Sequence, residues 1–114
     1  IKSRINFQKL NQCAEALIGE HDFSALSKNN EKIKNKKCII YESYWEEDKN
    51  QLIYTIKGNR FLHHMVRFII GASIEVAKSK MLFSDFVNLI DNNSKLSTVC
   101  APASALFLFE VLYD

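Results

Sequence analysis

Arg67 is the residue of this sequence with the strongest need for a partner. It lies in GNRFLHHMVRFIIGASIEVAKSK, Gly58 to Lys80, where apolar side chains recur with a helical period from Phe61 to Lys78. At about 100° per residue, Phe61, Leu62, Met65, Val66, Phe68, Ile69, Ala72, Val76 and Ala77 fill more than half of the circumference. A helix that apolar is expected to be buried in a domain. His63, Arg67, Gly71, Ile74 and Lys78 share the narrow strip that remains. Arg67 sits in the middle of that strip, far from both expected ends, so it is not a C-terminal cation answering the helix dipole. A guanidinium stays protonated, and burying it unpaired is very unfavourable. Arg67 therefore needs a carboxylate or a phosphate. Glu75, Asp85 and Asp22 are candidates within the chain; an anion from outside it is the alternative.

The other reactive side chains form weaker patterns. On a helix His63 and His64 would point about 100° apart, which does not suit one metal ion. Cys13, Cys38, Cys100 and His21 add no metal-ligand spacing. His21 and Asp22 are neighbours, and neighbours rarely make an acid–base pair. Asp22 and Ser24 favour turns and helix starts, so this segment reads as structural. Ser27 to Lys37 holds Lys28, Lys32, Lys34, Lys36 and Lys37. It is expected to be a solvated, mobile loop whose lysines meet phosphates only as point charges.

The elements that must position these residues follow from pattern. Asn6 can cap a first helix through Ile18, with Leu10, Ala14, Leu17 and Ile18 as its apolar stripe. Gly19 suits the left-handed stop. Cys38 to Glu46 and Leu52 to Lys57 read as two strands of a hairpin around a polar turn. Asn59 can cap the long helix, and Ser84 a short one to Ile90 packed by Phe86, Leu89 and Ile90. Asp91 to Ser97 reads as a polar loop, and Ala101-Pro102-Ala103 as extended. Ala105 to Tyr113 reads as a closing strand with Leu106, Leu108 and Leu112 on one face. Phe107, Phe109, Val111 and Tyr113 line the other, so the strand needs cover on both sides. With one strand added ahead of the first helix, this is the order of a ferredoxin-like split unit. The expected fold is α+β, an antiparallel sheet with helices on one face.

Composition sets outer limits. The 114 residues suffice for one domain, and 47% hydrophobic residues argue against disorder. The first residue is Ile, with no signal-peptide pattern after it, which reads as an internal cut. Three widely spaced cysteines favour reduced thiols and a cytoplasmic setting. A net charge of +2 is too small to identify a nucleic-acid binder.

Four segments in order resemble the tRNA pseudouridine synthase A family. Phe61, Leu62, His64, Met65, Val66, Arg67, Ile69 and Gly71 match its F-L-x-H-M-V-R-x-I-x-G run. Gly19 to Ser24 is similar to its G-x-H-D-F-S segment, and Ala101-Pro102-Ala103 to its A-P-A segment. Leu106, Leu108, Val111 and Tyr113 fit its closing L-x-L-x-x-V-x-Y strand. Two departures bear on loop geometry. Ala105 stands where the family has glycine, and Ala77-Lys78-Ser79-Lys80 stands where it has G-x-G-K. The family's R-T-D-x-G-V-H-A motif, with its nucleophilic aspartate, does not occur in these residues, and no tyrosine here matches its active-site tyrosine.

The resemblance implies the C-terminal half of a cofactor-independent isomerase, working as a homodimer. It would convert uridine to pseudouridine in tRNA, in the anticodon stem-loop. Arg67 would then be the ion-pair partner of an aspartate in the N-terminal half, and this half alone would be inactive. His63, Lys78 and Lys80 become the candidate RNA contacts; no metal and no cofactor are expected. A non-catalytic RNA-binding module or a dimerisation domain of the same fold is the alternative.

Overall fold

The computed structural model describes residues 5–28, 35–49 and 51–91, and the strand path of 109–113. Helix α1 (Phe7–Ala16) leads to strand β1 (Gly19–Asp22) and a 3-10 turn (Ser24–Leu26). Strands β2 (Lys37–Asp48) and β3 (Gln51–Gly58) form the expected hairpin, and helices α2 (Met65–Ala77) and α3 (Phe83–Asn88) precede β4 (Phe109–Tyr113). The four strands lie in the order β1-β2-β3-β4. The first three are antiparallel, and β4 runs parallel to β3. A parallel neighbour requires a crossover, and α2 with α3 supplies it. The fold is α+β, as the sequence suggests. The described residues also hold a strand that the sequence pattern does not signal, β1, between the first helix and the hairpin.

The core lies between the helices and one face of the sheet. Register places Trp45 opposite Tyr54 and Ser43 opposite Ile56, and all four side chains are buried. Cys38 and Ile40 belong to the same buried set. Strict alternation from Ile40 would bring Glu42 and Tyr44 inward, but an irregularity in the ladder between Ile40 and Glu42 absorbs one residue. That bulge turns Ser43 and Trp45 to the core instead. The Trp45 and Tyr54 rings meet at 4.8 Å, and Ser43 Oγ and Tyr54 Oη satisfy one another at 2.7 Å. From the helix side come Leu10, Cys13 and Ala14 of α1 and Met65, Ile69, Ile70, Ala72, Val76 and Ala77 of α2.

Several boundaries differ from the sequence reading. Asn6 caps α1, its side chain accepting from Lys9 N at 3.2 Å. Ile18 is not part of the buried stripe; it is an exposed residue leading into β1. The long helix begins at Met65, not beside Asn59. Asn59 instead extends the sheet, exchanging both bonds with the Ile39 backbone: Asn59 Oδ1 accepts from Ile39 N at 2.8 Å, and Asn59 N donates to Ile39 O at 3.0 Å. Gly58 is required beside it, because a Cβ there would stand 2.9 Å from Ile39 O. Helix α3 is capped by Leu82 without a side-chain bond, not by Ser84. Residues 29–34, the polar loop after Asp91, Cys100, the Ala-Pro-Ala segment and the side chains of the closing strand lie outside the described residues.

One family departure has a visible consequence. Ser79, in a glycine position of the G-x-G-K pattern, adopts φ 63°. Left-handed backbone disfavours a residue with a Cβ by about 1–2 kcal/mol, partly offset by the extra unfolded-state freedom of glycine. Ser79→Gly is therefore expected to stabilise the chain by about 0.5–1 kcal/mol, read as a higher urea midpoint at unchanged slope. A lower midpoint would show that the Lys9 Nζ to Ser79 Oγ bond of 3.1 Å outweighs the backbone term.

Candidate active site

The first turn of α2 holds Arg67. Met65 anchors this end from below, fully buried with its sulfur 3.9 Å from Cys38 Sγ. His64, the N-cap, sits at φ 58° and contributes no side-chain cap. Arg67 is therefore not mid-helix, as the periodicity suggests. Phe61 and Leu62 continue the apolar period through a loop that is itself packed against the core. The shorter helix changes the electrostatics. A guanidinium in the first turn faces the positive end of the dipole, and that turn carries no acidic side chain. Arg67 is half-buried, and among the described residues it makes no ion pair; Glu75, Asp85 and Asp22 are not its partners.

His63 and His64 precede the helix rather than lying on its faces, and their ring centroids lie 4.0 Å apart with the planes tilted by 43°. The carbonyl of His63 accepts from Lys28 N at 2.9 Å, tying the end of the 3-10 segment to the head of α2. Partial desolvation, followed by the positive charges of His63, Arg67 and Lys28, pushes the His64 imidazole below its usual range. Lys78 and Lys80 lie past the opposite end of α2 and are exposed. At 1.5 Å per residue Lys78 is roughly 16 Å along the axis from Arg67. His63 and Arg67 both act on the imidazole of His64 at the head of α2, and the two lysines lie at its other end.

Two groups missed in the sequence reading support this end. Arg60 Nε donates to Lys37 O at 3.0 Å, and its Nη2 donates to Asn35 O, so the start of β2 is strapped to the turn before α2. The second is Asp91. Its carboxylate meets His21 Nδ1 and accepts from Asp22 N, while Asp91 N donates to Asp22 O at 3.0 Å. His21 Nε2 faces the Ile18 carbonyl at 2.8 Å. Both ring nitrogens thus face acceptors, and both can donate only from the protonated imidazole. His21 and Asp22 are structural, as expected, though their partner lies 70 residues along the chain. No local pattern could have revealed it. Cys13 and Cys38 are both buried, which disfavours the thiolate. Burial pushes the Cys13 thiol up to about 12 and raises that of Cys38 as well. Among the described residues no group of three His, Cys, Asp or Glu is placed to hold a metal ion.

A profile described as tRNA pseudouridine synthase matches residues 13–114. The chain belongs to the tRNA pseudouridine synthase family. Among its relatives, "tRNA pseudouridine synthase A" of Bacteroides fragilis is 36% identical, over 99% of this chain and 46% of its own length. The protein of the same name from Borrelia garinii is also 36% identical, over 100% of this chain and 47% of its own length. That of Phytoplasma mali is 33% identical, over 96% and 45%. The chain thus spans about half the length of the curated relatives it matches.

The Asp91 clamp has a pH signature. Desolvation raises its carboxyl, but the His21 hydrogen bond, the Asp22 N–H and the charges of His21 and Lys37 outweigh it and hold the group below the usual carboxylate range. A depressed carboxylate contributes stability that is present above its unfolded value and lost as pH falls through the folded one. Asp91→Asn is expected to cost about 1 kcal/mol at neutral pH. The wild-type advantage should fade below about pH 4 in urea titrations. An advantage that persisted unchanged into stronger acid would contradict the clamp.

Proposed function

We propose that the chain is the C-terminal half of a tRNA pseudouridine synthase, acting on uridine in the anticodon stem-loop of tRNA. The observation that carries this reading is Arg67, a half-buried guanidinium at a helix head with no counter-ion among the described residues. In this proposal its partner is the nucleophilic aspartate of the N-terminal half. A carboxylate taken out of water for nucleophilic attack tends to protonate, and an adjacent guanidinium keeps it charged. The arginine also fixes the carboxylate by a two-pronged grip that an ammonium does not reproduce. The uridine is flipped from its stack into the cleft between the halves. There uracil is detached from its ribose and rejoined through carbon. His63 contacts RNA beside this cleft; Lys78 and Lys80 contact it further along. The setting is the cytoplasm, and no helix among the described residues is long and apolar enough to cross a membrane.

The homodimer belongs to the same proposal. Leu82, Phe83 and Val87 are exposed apolar side chains at α3, and Phe83 and Val87, four residues apart, share one helix face. They favour a dimerisation contact, which is also the second reading of this chain taken alone.

Three results are expected. The 114-residue chain, incubated with unmodified tRNA, forms no pseudouridine. Arg67→Met shifts its stability by no more than about 0.5 kcal/mol, since no ion pair among the described residues is broken. In the protein that includes the aspartate half, the same change lowers turnover about a hundredfold or more, and Arg67→Lys does not restore it. A loss of several kcal/mol from the chain, with full-length turnover merely following the folded fraction, would make Arg67 a structural residue and the proposal wrong.

A further inference from the structure

The head of α2 carries more positive charge than one carboxylate partner requires. Four basic residues from two segments come together there: Lys28, after the 3-10 turn, and His63, His64 and Arg67. The Lys28 N–H to His63 O bond of 2.9 Å fixes the segments together, and the centroids of the two imidazoles lie 4.0 Å apart, the rings tilted by 43°. Every charged group that acts on His64 is of the same sign: His63 and Arg67 from its own segment, Lys28 from the other. No carboxylate of the described residues answers them. Lys28 and His63 are exposed, while Arg67 is half-buried. One anion held by Arg67 from the inner side leaves the outer rim, Lys28 and the imidazoles, without a counter-charge. The backbone of Lys28 is itself anchored to the site by that bond.

We propose that Lys28, His63 and His64 form, beside Arg67, a binding site for a phosphodiester of RNA. The choice of RNA as ligand rests on the functional reading above; the charge arrangement does not. A phosphate supplies the negative charge that the cluster lacks, with Lys28 as a point charge and the imidazoles as N–H donors. It also opposes the positive charges that, after desolvation, hold the His64 imidazole below its usual range. Binding therefore draws a proton from solvent onto His64, and affinity rises as pH falls.

Fluorescence anisotropy of the chain with a short labelled oligouridylate tests the site, with salt and pH varied separately. Lys28→Gln, a change at an exposed position, is expected to reduce the slope of log affinity against log salt by about 0.7, one phosphate contact on a single strand. Wild-type affinity should rise as pH is lowered from about 8 to about 6, the range in which imidazoles titrate. His64→Asn, chosen because Asn tolerates the left-handed backbone, should lose most of that rise while melting like wild type. Proton NMR should show the His64 ring titrating at higher pH in the complex than in the free chain. No binding, an unchanged salt slope in Lys28→Gln, a His64 titration unmoved by ligand, or equal affinity for an oligoglutamate of matched charge would each overturn the site. These outcomes are independent of turnover. Failure here with Arg67→Met still abolishing turnover would leave the proposed function standing, and the converse would leave the RNA site standing.

Discussion

A permanently charged guanidinium held against an apolar helix, with no carboxylate partner among the described residues, is the constraint around which this domain is arranged. Arg67 cannot shed its proton, and the dipole of α2 makes its position less favourable. A half-buried cation in that place is tolerable only because the rest of α2 is firmly packed. Met65, Ile69, Ala72 and Val76 are buried to 1% exposure or less, and the end of the helix holds α1 through the Asn6 N to Ala77 O bond of 3.0 Å. Rigidity at one face lets the head of the helix present charge at the other. A site held this way is preorganised; little has to move when an anion arrives.

The sheet and its fastenings set where that head points. Asn59 and Gly58 end β3 against Ile39, and Arg60 straps the start of β2, so the turn into α2 is bound on both sides. Asn11 of α1 holds the Trp45 backbone through both of its amide atoms, Oδ1 accepting at 2.8 Å and Nδ2 donating at 3.3 Å. On the far side His21, Asp22 and Asp91 join the end of α3 to β1. These polar contacts link residues far apart in sequence, and together they fix α2 relative to the sheet.

Much of this was legible before the structure. The hairpin, the buried α2 and the Asn6 cap all follow from local pattern, because each depends on neighbours within a few residues. What was hidden depends on partners further away. Strand β1, Gly-Glu-His-Asp, has no β-branched side chain and is a strand only because β2 pairs with it. The bulge between Ile40 and Glu42 hides the alternation of β2. Helix α2 was extended too far toward Asn59 because Phe61 and Leu62, packed in a loop, keep the helical period by coincidence. Composition places Lys28 among solvated lysines, and its backbone bond to His63, far along the chain, has no local signal.

The central claim is that Arg67 is reserved for an anion this chain does not supply. A double-mutant cycle on turnover tests it most directly, joining Arg67→Met to an Asn replacement of the aspartate in the R-T-D-x-G-V-H-A motif of the other half. If the two groups act as one unit, the double variant turns over no more slowly than the aspartate variant alone. Losses that multiply, as for independent sites, would contradict the account.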